Sequence, residues 1–166
     1  MQVKVVSYTE AQRLHKEEQI LNTHNVISLL DTGLGSPFMR SIYQNFPRRV
    51  APETLLTIHV DDISKPNGYH QHWTPHDALR VREWFKRVSD NDRPYLVHCW
   101  MGVSRSGAVG TYLAWTLDHD MGAFFDVHPE IKPNFLILKS LLGTSVAHQI
   151  KRNLENNGRA VSFGHE

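Results

Sequence analysis

The stretch Tyr95-Leu96-Val97-His98-Cys99-Trp100-Met101-Gly102-Val103-Ser104-Arg105-Ser106-Gly107 decides how this chain is read. Tyr95 to Val97 is a short apolar run of strand type, Gly102 frees the turn after it, and Ser106 to Leu117 reads as a helix. A loop between a strand end and a helix start can curl its backbone N–H groups, here those of residues 100 to 105, round one anion. Cys99, the chain's single cysteine, stands at the centre of that cup. The helix dipole and the nearby Arg105 favour its nucleophilic thiolate form. Arg105 also brings a planar fork that suits two phosphate oxygens at once, which a lysine does not.

Each of these residues has a plainer use. A lone cysteine is commonly a small buried core residue, an arginine a surface ion-pair partner, and Ser106 a helix cap. Their joint spacing outweighs those uses. His, Cys, Gly, Arg and Ser at these offsets would arise by chance in on the order of one in 100,000 chains of this length.

Working outward, the chain alternates strands and helices without repeats or low-complexity segments. Val3 to Val6 reads as a strand, and Thr9 with Gln12 three residues later resembles a capping box opening a helix to about Leu21. Val26 to Leu30 is a second strand. Asp31 to Pro52 carries Gly33, Gly35, Pro37, Pro47 and Pro52, and reads as a loop or broken helix. Leu56, Ile58 and Val60 alternate along a third strand that delivers Asp61 and Asp62 to its C-terminal end.

Thr74, Pro75 and Asp77 start a helix to about Val88, with Ala78, Val81, Phe85 and Val88 on one face. Asp90 to Pro94 turns the chain into the strand before Cys99; strand, helix, strand at this length favours parallel pairing with a right-handed crossover. Met121 to Val127, Pro133 to Leu142 and Thr144 to Leu154 read as further helices, with Gly158 as a stop. The expected fold is α/β in three layers: a central, mainly parallel sheet of four to five strands flanked by helices, with the anion loop at its C-terminal edge.

At 166 residues, one domain is expected over 1–166, with a short tail from about 158; it can bury about two thirds of its unfolded surface. A single cysteine leaves no internal disulfide and points to a reducing compartment. No apolar run approaches the roughly 20 residues that span a bilayer, and Met1 to Val6 lacks the apolar core of a secretory signal, so a cytoplasmic protein without membrane contact is expected. A formal charge of +1 with both signs mixed along the chain offers no basic stripe for nucleic acid. The sequence assigns no oligomeric state.

His98, Cys99, Gly102, Ser104, Arg105 and Ser106 match the loop His-Cys-x-x-Gly-x-Ser-Arg-Ser, which resembles the dual-specificity branch of the cysteine-dependent protein tyrosine phosphatase superfamily. Asp61-Asp62-Ile63, the proline-started helix and Ile131-Lys132-Pro133-Asn134 extend the resemblance to compact bacterial-type members, from about Val26 to Gly143. It implies a phosphatase acting on phosphotyrosine, and on phosphoserine or phosphothreonine as further substrates, through a phosphocysteine intermediate and without a cofactor. Its partner would be a phosphorylated protein or peptide.

The resemblance implies Cys99 as nucleophile, Arg105 as phosphate clamp, and a Ser106 hydroxyl that assists departure of the thiolate. Trp100, Met101, Gly102, Val103, Ser104 and Arg105 would bind the phosphate through the loop, and His98 would support it by hydrogen bonds. A carboxylic acid must protonate the leaving oxygen. Asp62 is favoured over Asp61, because it shares the parity of Ile58 and Val60 and aligns ahead of Ile63; both aspartates would otherwise be solvated turn residues. Asp62 lies 37 residues before Cys99, farther than in many compact relatives, which makes the acid loop longer.

His59, His70, His72 and His76 cluster in sequence but match no common zinc spacing, so no metal site is assigned. Tyr69 or Trp73 is a candidate to stack on an aryl phosphate; Trp84, Phe85, Phe124 and Phe125 suit the core. Two other functions compete: hydrolysis of a non-protein phosphate ester such as a phosphoinositide or an RNA 5′-triphosphate, and phospho-binding without turnover. The absence of charge from Trp100 to Ser104 argues against the first, and an intact set of reactive groups against the second.

Overall fold

The computed structural model describes residues 2–18, 20–32, 53–63 and 71–163. Among these, four strands form one sheet: β1 (Val3–Ser7), β2 (Asn25–Leu30), β3 (Leu55–His59) and β4 (Tyr95–Cys99). All pairings are parallel, in the order β1-β4-β2-β3. The α/β layer fold expected from the sequence is therefore present. β4 sits between β1 and β2, so the chain runs outward from β1 to β2 and β3 and then returns across the sheet. In open parallel sheets such a reversal leaves a crevice beyond the C-terminal strand ends.

The two central strands, β4 and β2, are buried along their whole length because helices cover both faces of the sheet. Tyr95, Val97 and Cys99 of β4 join Val3, Val5, Ile27, Leu29 and Ile58 in the larger core. Leu96 joins Val6, Val26 and Leu30 in a smaller one, closed by Tyr8, Ala11, Leu14 and Ile20. Those closing residues belong to α1 (Tyr8–Glu18) and α2 (Ile20–Thr23).

The first helix starts earlier than the capping box at Thr9 implies. Ser7 Oγ accepts from Glu10 N at 3.2 Å, so Ser7 caps the helix, and Gln12 Nε2 donates to Tyr8 Oη instead. Of the segment Asp31 to Pro52, residues 33–52 lie outside the described residues.

The larger core is covered by α3 (Pro75–Val88), α4 (Arg105–Thr116), α5 (Met121–Val127), α6 (Phe135–Leu142) and α7 (Thr144–Asn156). α3 begins as the sequence indicates: Thr74 accepts from Asp77 N, Asp77 caps back onto Thr74 N, and Pro75 opens the helix, an arrangement worth about 1 kcal/mol. Trp84 is its most deeply placed ring, while Phe85 packs partly buried against Tyr95 and Tyr112. Phe124 and Phe125 are buried in the same core.

α4 is buried from Arg105 to Ala114. It lies so close to β1 that a Cβ on Gly110 would stand 2.3 Å from Val5 Cγ2. The chain does not leave the fold at Gly158: Ser162 bridges to Asn134, Phe135 N donates to the Ser162 carbonyl at 2.7 Å, and Phe163 packs against Phe135.

Candidate active site

Cys99 ends β4, opposite Ser7 of β1, and is 2% exposed. Its Sγ lies 3.0 Å from Ser106 Oγ. Ser106 is therefore turned onto the sulfur, in the first turn of α4, and does not cap the helix; Ser104 holds the N-cap position without a side-chain cap bond. Gly102 makes the loop possible. It adopts φ +75°, the left-handed region that favours glycine, and a Cβ there would meet Val6 C and Ser7 N at 2.5 Å.

The carbonyls of the loop are engaged from outside. Tyr8 N donates to Trp100 O at 3.1 Å, Lys132 N to Val103 O at 3.2 Å, and Asn134 N to Ser104 O at 3.1 Å. In a trans peptide the N–H points opposite to the preceding carbonyl, so these bonds turn the N–H groups of Met101, Ser104 and Arg105 away from those neighbours. Trp100 stacks on Tyr8 with ring centroids 5.9 Å apart and packs against the smaller core, whereas Met101 is 67% exposed.

Arg105 is buried. Its Nη1 donates to the Asp31 carboxylate and to the Val60 carbonyl, while its Nε is buried without a hydrogen-bond partner among the described residues. Burial works against its charge, but the neighbouring Cys99, Asp31 and Asp62 outweigh this and raise its affinity for the proton. It is a fixed cation in a setting of lowered dielectric, where its field is strengthened.

The two aspartates part company. Asp61 is buried and accepts from Thr32 N (3.0 Å), Thr32 Oγ1 (2.6 Å) and Gln71 N (2.9 Å); it staples together the segments after β2 and before α3. Asp62 Oδ1 accepts from Ser104 Oγ at 3.1 Å and from Asn134 Nδ2 at 3.0 Å, which aims this carboxylate at the Cys99 loop. Strand parity is not what brings it there. β3 ends at His59, and a tight turn in which Ile63 N donates to Asp61 O swings Asp62 across. Asn134 also caps α6, its Oδ1 accepting from Leu136 N and Ile137 N.

His98 is fully buried beside Tyr8. Desolvation pushes it down to about 3, with the Arg105 charge adding to the effect against a backbone hydrogen bond. It is therefore neutral at ordinary pH. The unfolded chain takes up this proton near pH 6.5, which the folded chain refuses until about pH 3. The contribution to stability is thus complete above pH 6.5 and falls as pH drops through that window, by about 1.4 kcal/mol per unit. Urea unfolding between about pH 6 and about pH 4 should show a shallower acid loss in His98→Asn than in the wild type; equal slopes would contradict this.

Asp31, the first residue of the segment read as a loop or broken helix, pairs with Arg105 across 74 residues of chain. Of the other candidates, Tyr69 and His70 lie outside the described residues. Trp73 is tied by its indole N–H to Ser140 Oγ at 2.7 Å. Among the described residues, no three His, Cys, Asp or Glu side chains come together to hold a metal ion.

No protein-family model matches the chain, and no curated protein matches it in sequence. Solved structures do match in three dimensions. DUSP15 superposes with a TM-score of 0.54 at 18% identity, over 93% of this chain and 90% of its own. Human DUSP28 gives 0.54 at 18%, over 89% and 94%, and the PTP-2 phosphatase of Cydia pomonella 0.52 at 22%, over 86% and 85%. The chain has the fold of the cysteine-dependent tyrosine and dual-specificity phosphatases. The C-terminal edge of the sheet gathers Cys99 from β4, Asp31 from beyond β2 and Asp62 from beyond β3.

Proposed function

We propose that the chain is a cysteine-dependent phosphoric monoester hydrolase acting on phosphotyrosine in proteins or peptides, with phosphoserine and phosphothreonine as further substrates. The observation that carries this is the convergence of Cys99 Sγ on Ser106 Oγ at 3.0 Å, beside a buried arginine and a carboxylate hydrogen-bonded to the same loop. The Cys99 thiolate attacks phosphorus while loop N–H groups from Trp100 to Arg105 and the Arg105 fork hold the phosphate oxygens. Asp62 gives its proton to the leaving oxygen. It then accepts one from the water that attacks the phosphocysteine, as the Ser106 hydroxyl donates to the departing sulfur.

Substrate choice follows from charge. Residues 100 to 104 carry no ionisable side chain, and among the described residues the Asp31 carboxylate adds negative charge beside Arg105. A substrate with a single phosphate suits this site better than a polyanionic inositide or triphosphate.

The purified protein should hydrolyse aryl phosphates and be blocked by vanadate. Phosphopeptide binding without phosphate release would instead make it a binding module. Asp62→Asn should cost less than about 10-fold on p-nitrophenyl phosphate, whose leaving group needs little protonation, and about 100-fold or more on phenyl phosphate or a phosphotyrosine peptide. If Asp61→Asn shows that dependence and Asp62→Asn does not, Asp61 is the acid.

A further inference from the structure

Arg105 has five N–H donors in a rigid fork, and two neighbouring strand ends take up one nitrogen of it. Nη1 donates to the Asp31 carboxylate, one residue beyond β2, and to the Val60 carbonyl, one residue beyond β3. Nε is buried and has no hydrogen-bond partner among the described residues. A buried guanidinium N–H without an acceptor is costly unless a ligand supplies one.

We propose that Asp31 is a positioning residue for Arg105: together with the Val60 carbonyl it fixes Nη1, so that the remaining edge of the fork is presented to the substrate phosphate. This rests on the phosphatase reading above.

Asp31 is itself well anchored. The next residue, Thr32, is held by Asp61 through both its backbone N–H and its hydroxyl, so the carboxylate is offered from a fixed backbone. Bidentate clamping demands alignment of the planar fork, and a guanidinium free to swing loses much of its value to a pentavalent, charge-shifted transition state. Asp31 can also act in the opposite sense, as a nearby negative charge that weakens anion binding. The two effects separate chemically, because asparagine keeps an acceptor oxygen and drops the charge.

The test uses the full chain, with p-nitrophenyl phosphate for kcat/KM and vanadate for binding. Asp31→Ala should lower kcat/KM by between about 10- and about 100-fold, weaken vanadate in parallel, and leave kcat/KM almost unchanged when added to Arg105→Lys, since the group it positions is then gone. Asp31→Asn should stay within about 3-fold of the wild type. Should Asp31→Ala fail to fold by thermal melting, Asp31→Ser, too short to reach Nη1, is expected to reproduce its loss.

The proposal is overturned if Asp31→Ala matches or exceeds the wild type, if Asp31→Asn falls as far as Asp31→Ala, or if the Asp31→Ala loss persists in full on Arg105→Lys. A wild type that neither hydrolyses the ester nor binds vanadate would instead overturn the phosphatase reading, a different outcome from any of these.

Discussion

Cys99→Ser is expected to lower kcat for aryl phosphate hydrolysis by at least about 10,000-fold. A serine hydroxyl is a weak nucleophile unless a base takes its proton, and in the proposed cycle Asp62 still carries its own proton at this step because it serves there as the acid. His98 is the adjoining imidazole, but burial pushes it down to about 3, so it does not accept a proton near neutral pH. The side chain hydrogen-bonded to the sulfur is another hydroxyl, Ser106 Oγ. The exchange is almost isosteric, so thermal melting should remain close to wild type, and the loop N–H groups and Arg105 should still bind vanadate. Steady-state kinetics on the melted and refolded controls would check this; activity within tenfold of wild type would place the nucleophile elsewhere.

Arg105→Lys should cost about 1,000-fold in kcat/KM, with kcat falling as well as KM rising. One ammonium has to replace a nitrogen that already serves Asp31 and Val60 O and an edge left for phosphate oxygens. It reaches one set or the other. The Val60 carbonyl also loses its donor at a buried position, so a small drop in melting temperature should accompany the kinetic loss. A variant that keeps kcat and loses only substrate affinity would mean that the guanidinium binds ground state and transition state equally.

The parts of this fold that are legible in the sequence are those set by neighbouring residues. Thr74, Pro75 and Asp77 mark the start of α3 because the cap is a bond between residues three apart. Gly102 is legible because the turn needs its φ of +75°. The start of α1 is harder: Ser7 and Thr9 are both competent caps, and the choice of Ser7 depends on β1 running that far and on Tyr8 being drawn into the smaller core. The place of β4 between β1 and β2 is a long-range pairing with no local mark.

The site divides in the same way. Cys99, Arg105 and Ser106 lie within eight consecutive residues and declare themselves by spacing. Asp62 is visible as a strand-end carboxylate, although a turn and not strand parity carries it across the sheet edge. Asp31 and Asn134 reach Arg105 and Asp62 over 74 and 72 residues of chain. Only the folded sheet edge brings them together, and nothing in their immediate neighbours distinguishes Asp31 from an ordinary loop carboxylate.

The central claim is that Cys99 carries the phosphoryl group during turnover. Rapid acid quenching of the protein during hydrolysis of an aryl phosphate, followed by mass spectrometry of its peptides, tests it most directly. One phosphoryl group should be found on the peptide bearing Cys99, accumulating within a single turnover and absent from Cys99→Ser. Turnover with no adduct on that peptide, or with the adduct on another residue, would contradict it.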